Sequence, residues 1–267
     1  MKRREFLKLC GCFVLSTSIS YKAFATLKNL NGENLPNFKL DIRPLTINVG
    51  ATKPFKALHI SDTHYTRATE VENQRKINLA TARQKTFPWA EHYFDMEMDY
   101  AREKNLMVLH TGDFQDFIIE ANLEQIKLQT NVGEWITAPG NHDFSLYVGE
   151  AWEDEAYKAQ SYDKVQAAFP NDLTVASRII NGVNFVAIDN VYYYVTAEQH
   201  QAVKREFEKG LPVVLMCHIP FYTPEHCLDT LKRQKGRISY MVATPAQVIT
   251  DYRSNPNNPV SEAYRNK

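Results

Sequence analysis

Apolar residues along the chain gather into short runs that stop abruptly at polar clusters. FKALHI (55–60) runs into SDTH, LMVL (106–109) into HTGDFQD, and the Trp135-Ile136 pair into TAPGNHD. LPVVLM (211–216) runs into CHIP in the same way. Runs of this length, bounded by turn-forming residues, predict buried strands. Further strands are predicted around Asn181-Gly182, which separates two apolar runs in IINGVNFVAIDN and predicts a tight hairpin. Residues Phe38–Ile42 and Leu45–Val49 alternate with period two around Pro44 and predict two exposed or edge strands.

Between the strands lie segments with helical spacing. Apolar positions recur at helical intervals from about Trp89 to Lys104 and from about Trp152 to Phe169. Thr196 followed by Gln199 predicts a capping box that opens a helix, and Gly210 predicts its close. Strands alternating with helices predict an α/β fold, sheets covered by helices, with ligands at the polar ends of strands. No repeat or low-complexity run interrupts this pattern.

The 267 residues, 44% of them hydrophobic, are enough for one sizeable core. The net charge is zero, but Lys2, Arg3, Arg4, Lys8 and Lys22 stand against Glu5 alone in the first 25 residues. Setting those aside leaves 26 basic and 30 acidic residues, an acidic body that argues against nucleic acid held by bulk charge. KRREFLK (2–8) resembles the twin-arginine export motif. The apolar stretch after it, Leu9 to Ile19, is too short to span a membrane, and Ala23 and Ala25 have the spacing of a signal-peptidase site. Residues 1–25 are therefore expected to be an export signal. The mature chain is expected in the periplasm or cell envelope of a bacterium, with the twin-arginine machinery as a partner and no transmembrane span. That route carries folded proteins, often with a cofactor inserted, so the resemblance also implies a metal or cofactor. Cys217 and Cys227 are the cysteines beyond residue 25, and Cys217, inside an apolar run, is expected to be a buried thiol.

Singly the polar clusters are weak signals. Asp62-Thr63-His64 reads as a turn, Gly112-Asp113 as a tight turn, and His218 as a satisfied core histidine. His59 and His110, within strand runs, are assigned to the core. In order, however, the chain presents Asp62-Thr63-His64, Gly112-Asp113-Phe114-Gln115-Asp116, Gly140-Asn141-His142-Asp143 and Cys217-His218. This succession resembles the calcineurin-like metallophosphoesterase family, whose pattern is DxH, GDxxD, GNH(D/E), a lone His and then GHxH. The resemblance spans about Phe55 to Tyr222. Asp116, where a Tyr would stand, separates the chain from the purple acid phosphatase branch.

The resemblance implies a metallophosphoesterase-type β-sandwich flanked by helices over residues 54–267; the alternating segments before it are expected to be edge strands or a linker at 26–53. It implies two divalent metal ions (Mn, Fe, Zn or similar). Asp62 and His64 would hold the first, Asp113 would bridge both, and Asn141 and His218 would hold the second. The activity implied is hydrolysis of phosphate mono- or diesters, small molecules or envelope-associated, by metal-activated water. His142 would protonate the leaving oxygen or stabilise phosphoryl charge, oriented by Asp116, and Asp143 would be a supporting carboxylate.

One block is missing. No Gly-His dipeptide occurs, His226 is the single histidine after His218, and 49 residues follow His218. Without GHxH each metal keeps three protein ligands. Truncation, with loss of the C-terminal strands, is one expectation. A metal-poor, inactive scaffold or binding protein on the same fold is the other. His226 lies in the wrong context to substitute. His92, Asp95, Glu97 and Asp99 are expected to form a solvated helix face, and Tyr192-Tyr193-Tyr194 to pack the core or cover an edge.

Overall fold

A computed structural model describes residues 38–148, 155–233, 241–248 and 250. The export-signal segment 1–25 and the start of the 152–169 helix lie outside the described residues. In chain order the elements are β1 (Ala57–Ile60), α1 (Gln74–Thr86), α2 (Ala90–Glu103), β2 (Met107–Thr111), α3 (Glu120–Thr130) and β3 (Trp135–Ala138). A single 3-10 turn (His142–Phe144) precedes α4 (Glu155–Gln166), β4 (Val175–Ile180), β5 (Val183–Ile188), α5 (Ala197–Phe207), β6 (Val213–Met216) and α6 (Pro224–Arg233).

The strands form two three-stranded sheets. β1, β2 and β3 run parallel in that order, with Ile60 opposite His110 and Thr111 opposite Ala138. In the second sheet β5 lies between β4, antiparallel, and β6, parallel. The parallel pairs need crossovers, which α1, α2, α3 and α5 supply. Met107, Ile136 and Ala138 of the first sheet pack against Val183, Phe185, Ala187 and Met216 of the second. On the other face of the first sheet, Ile60, Val108 and Trp135 pack with Phe94, Met98 and Ala101 of α2 and with Leu123 and Ile126 of α3. The result is the expected β-sandwich flanked by helices.

Local chemistry explains several elements. Asn181 (φ 48°) and Gly182 (φ 81°) form the two-residue turn between β4 and β5, where positive φ at both positions suits the strand twist. Thr52 binds this turn from outside, its N–H donating to the Asn181 carbonyl at 2.7 Å. Thr196 and Gln199 make the reciprocal capping box at the start of α5, and Gly210 (φ 69°) follows its end. α2 lies one residue inside the predicted limits at each end.

The structure corrects four expectations. Residues 38–53 form no strand. Alternation without a neighbouring strand to pair with leaves Leu45 and Ile47 exposed, while Phe38 is anchored differently, its ring 4.3 Å from that of His92. That contact helps bury His92 (4% exposed), and Glu97 has a carboxylate oxygen sealed from solvent, so this side of α2 is not a solvated face. His59 is exposed, its Nε2 at 2.8 Å from Thr111 Oγ1, because β1 is an edge strand and the inter-sheet packing that holds Ala57 and Leu109 does not extend over His59. His110, by contrast, is fully buried. Tyr192 is buried in the main core, as expected. Cys217 and Cys227 are free thiols, each half-buried, so Cys217 is less enclosed than its run suggested.

Candidate metal centre

Three polar clusters extend from the carboxyl ends of β1, β2 and β3, and the fourth from β6 of the other sheet. The first two are joined by backbone. Asp62 N donates to Gly112 O (2.9 Å), His64 N to Asp113 O (3.0 Å) and Tyr65 N to Phe114 O (2.9 Å), extending the parallel pairing past the strands. Asp62 (φ 55°), His64 (φ 44°) and Asp113 (φ 53°) all adopt the left-handed conformation. Non-glycine residues held this way cluster at functional sites, where surrounding contacts enforce them.

Two glycines allow the remaining loops to close in. A Cβ on Gly140 would lie 2.2 Å from both the N and Oδ1 of Asp113. One on Gly112 (φ 99°) would lie 2.5 Å from His218 Nδ1. The Gly140 loop is also pinned by His142 N, which donates to Asp113 Oδ1 at 2.8 Å. Asn141 lies between these two contacts. Asp143, fully buried, accepts from Gly140 N (2.8 Å) and Gln115 N (3.2 Å) and so braces the loop from behind. Burial, and then the nearby Asp113 charge, push the Asp143 carboxyl up to about 7.

The imidazoles are oriented by oxygen acceptors. His218 Nδ1 donates to the Thr111 carbonyl (2.9 Å) and His142 Nδ1 to the Asp116 carbonyl (2.7 Å). His64 Nδ1 meets Asp116 Oδ1 at 3.0 Å. Protons on these Nδ1 atoms leave each Nε2 available, the arrangement that outer hydrogen bonds impose on metal-binding histidines. His64 Nε2 and His218 Nε2 lie 3.8 and 3.5 Å from Asp113 Oδ2. His64, Asp113 and His142 form one group whose ligand atoms lie within 4.8 Å of one another, and Asp62, Asp113 and His218 form a second. Asp113 belongs to both. The pairing differs from that implied by the resemblance, since Asp62 falls with His218 and His142 joins His64. Two carboxylates with three imidazoles suit Mn, Fe or Zn better than Ca or Mg.

The electrostatics favour positive charge around Asp113. Burial alone would raise its carboxyl, but the hydrogen bond and charge of His218, with His142, hold it below the usual carboxylate range. Against the same desolvation, His218 is raised to about 9 by Asp113, and His142 is raised by Asp116 and Asp113. His110 is driven down to about 3 by burial and stays neutral. Its Nδ1 accepts from Gly112 N at 3.3 Å and its Nε2 meets Thr63 Oγ1 at 3.2 Å, so it braces the turn before Asp113.

Four supporting residues carry no signal in the motifs. Arg83 of α1 clamps Asp116, Nε to Oδ2 at 2.5 Å and Nη2 to Oδ1 at 2.9 Å. Burial would raise Asp116, yet Arg83, His142 and His64 keep it far below its ordinary value. Phe87 stacks on His64, rings 4.2 Å apart and 6° from parallel. Asn190 receives Ile219 N (3.2 Å) and donates to Ile219 O (2.6 Å), fixing the loop that carries His218. Gln115 spans to the Asp143 carbonyl at 3.1 Å. His226 is exposed on α6. Only the AIDN ending of β5, one more strand that stops at a polar pair, offered a hint, and it points to Asn190.

Residues 55–243 match the family model described as calcineurin-like phosphoesterase. No curated protein matches the chain.

Proposed function

The chain belongs to the calcineurin-like phosphoesterase family, and from that premise we propose that it is an exported hydrolase of phosphate mono- or diesters working with a dinuclear centre. Asp113 carries this reading, because its carboxylate is the common vertex of two ligand groups. Asp62, His64, Asp113, Asn141 and His218 would hold two divalent ions. Such ions neutralise phosphoryl oxygens and make water a stronger nucleophile.

The chain's own residues supply the rest. His142, with Nδ1 committed to the Asp116 carbonyl and its pKa raised by Asp116 and Asp113, would offer a proton from Nε2 to the leaving oxygen when charged. Asp116 and Arg83 fix the orientation of that ring and of His64. Asp62 is exposed at the edge of the centre, where an incoming ester has access. Water supplies the nucleophile, the ester oxygen leaves with a proton, and no phosphorylated side chain is required. Export rests on Arg3-Arg4 and the following apolar stretch. Among the described residues no helix is long and apolar enough to cross a membrane.

The test is metal analysis of purified protein together with hydrolysis of aryl phosphate mono- and diesters in added Mn²⁺. Turnover with close to two ions per chain is expected, and Asp113→Ala should lose both. Less than one ion per chain and no turnover would sink the hydrolase reading and leave the scaffold alternative. Replacing Arg3 and Arg4 by Lys should retain the protein in the cytoplasm if the export reading holds.

A further inference from the structure

Lys158 of α4 and Asp189, just past β5, form an enclosed ion pair that the chemistry above leaves unused. Lys158 Nζ lies 2.6 Å from Asp189 Oδ2, and the two side chains are 15% and 3% exposed. Burial pushes the Asp189 carboxyl up, and the Lys158 charge opposes that shift. The same ammonium lies 5.1 Å from the Phe144 ring centre and 5.6 Å from that of Tyr192, within reach of both aromatic rings. A buried ion pair is weak evidence for stability, so its place in the fold calls for another account.

The two partners of Lys158 lead to opposite sides of the centre. Phe144 ends the 3-10 turn that His142 opens, and the His142 N–H pins that turn to Asp113. Ser161 of α4 seats the helix on this turn, its Oγ donating to the Phe144 carbonyl at 3.0 Å. Tyr162 stacks on the Phe144 ring, centres 5.7 Å apart and 8° from parallel. On the other side, Asp189 precedes Asn190, whose amide group brackets Ile219 next to His218. Asp189 is itself held, Oδ1 accepting from Val191 N (3.0 Å) and its carbonyl from Gln199 Nε2 (2.7 Å). Lys158 thus touches an arm from the first sheet and an arm from the second, and both arms meet at Asp113.

Resting on the metal-centre reading above, we propose that Lys158 is a positioning residue, which ties the His142 turn to the Asp189-Asn190 segment and so sets the spacing of His142 and His218 about Asp113. It acts through Phe144 and Asp189 and contacts no metal itself. Lys164, on the same helix but 45% exposed and paired with Glu120, serves as the control.

Two measurements on the full chain test the tie. In the first, Mn²⁺ is titrated calorimetrically into protein stripped of metal; Lys158→Met should bind it about 10-fold or more weakly, while Lys158→Arg and Lys164→Met stay within about threefold of wild type. The second follows, by proton NMR in EDTA, the ring N–H groups that His142 and His218 donate to the Asp116 and Thr111 carbonyls. In Lys158→Met, with folding verified by circular dichroism, both should exchange with water about 10-fold faster or more, and Lys158→Arg should restore them. A merely structural pair would lower the melting temperature and leave both ring signals in place, which overturns the assignment. So does an equal loss in Lys164→Met, or exchange too fast to observe in wild type. If Lys158→Met does not fold, Lys158→Met/Asp189→Asn, which leaves no charge unpaired, takes its place with the same expected and overturning results. If wild type binds no Mn²⁺, the hydrolase reading fails on its own and ring N–H exchange decides: faster exchange in the variant supports the tie, and unchanged exchange overturns it.

Discussion

Removing Arg83 or Asp116 should cost more stability than either residue's position in the sequence suggests, and the two losses should not add. Asp116 has no exposed side-chain surface, whereas Arg83 retains 20%. The guanidinium grips both carboxylate oxygens, at 2.5 and 2.9 Å. Breaking a buried pair by deleting one partner typically costs 3–5 kcal/mol, because the survivor is left charged and desolvated. The partial exposure of Arg83 places each loss near the lower bound, about 3 kcal/mol for Asp116→Asn and about the same for Arg83→Met. With both gone, no charge is left unpaired in the clamp, so the double variant should fall short of the sum by about 2 kcal/mol. Urea unfolding of all four proteins, in EDTA so that metal binding adds nothing, measures the cycle. The Asp116 carboxyl is depressed in the folded state from an ordinary 3.8. Its pairing is therefore complete above that value and is lost only as pH falls through the lower native one. Coupling should be equal at pH 7 and pH 5. Additive single losses, or a single loss under about 1 kcal/mol, would refute the reasoning.

Three further outcomes follow from the same geometry. Glu97 is raised from 4.5 to about 7, so its carboxyl contributes stability below 4.5 that is lost as pH rises to 7; Glu97→Gln should exceed wild type by about 3 kcal/mol at pH 8 and match it near pH 4.5, and a pH-independent difference in calorimetric unfolding would contradict this. Gly140→Ala forces a Cβ to within 2.2 Å of Asp113 N and Oδ1, so about 2–3 kcal/mol of stability and most bound Mn²⁺ should be lost, as read by urea unfolding and metal analysis; a variant with wild-type metal content rejects the close approach as a requirement. His142→Gln should keep its metal while aryl phosphate turnover drops about 100-fold, whereas loss of one ion would move His142 into the ligand set with His64 and Asp113.

What the sequence showed best was what a local pattern can encode. The Asn181-Gly182 hairpin and the Thr196–Gln199 cap depend on residues two to six positions apart, and both formed as the residues dictate. The four clusters were legible because each follows a strand, and parallel strands bring their carboxyl ends to one edge. α1 was missed because its sequence, QRKINLATARQKT, is polar and buries Ala80 alone, so no apolar stripe marks it. With α1 unseen, Arg83 had no reason to stand near Asp116, 33 residues away. The error over residues 38–53 has the opposite cause, since alternation was present but no strand edge was there to receive it. Glu97 was misread for a related reason: helical spacing says which residues share a face, not whether Phe38 and the α1–α2 turn cover it.

The centre draws on both sheets, and this explains where its strain is held. Asp62, His64 and Asp113 come from the first sheet, each in a backbone conformation that costs an ordinary residue about 1–2 kcal/mol. His218 comes from the second sheet but bonds the Thr111 carbonyl of the first. Its loop is held in turn by Asn190, at the end of β5. The apolar seam of Met107, Ile136 and Ala138 against Phe185, Ala187 and Met216 thus fixes the distance across which Asp113 meets His218. A side chain that widened this seam would separate the two ligand groups without touching a polar residue. Both sheets must therefore be packed before Asp113 can serve two groups, and the left-handed residues persist because that packing and the backbone pairing from Asp62 to Phe114 over-determine them.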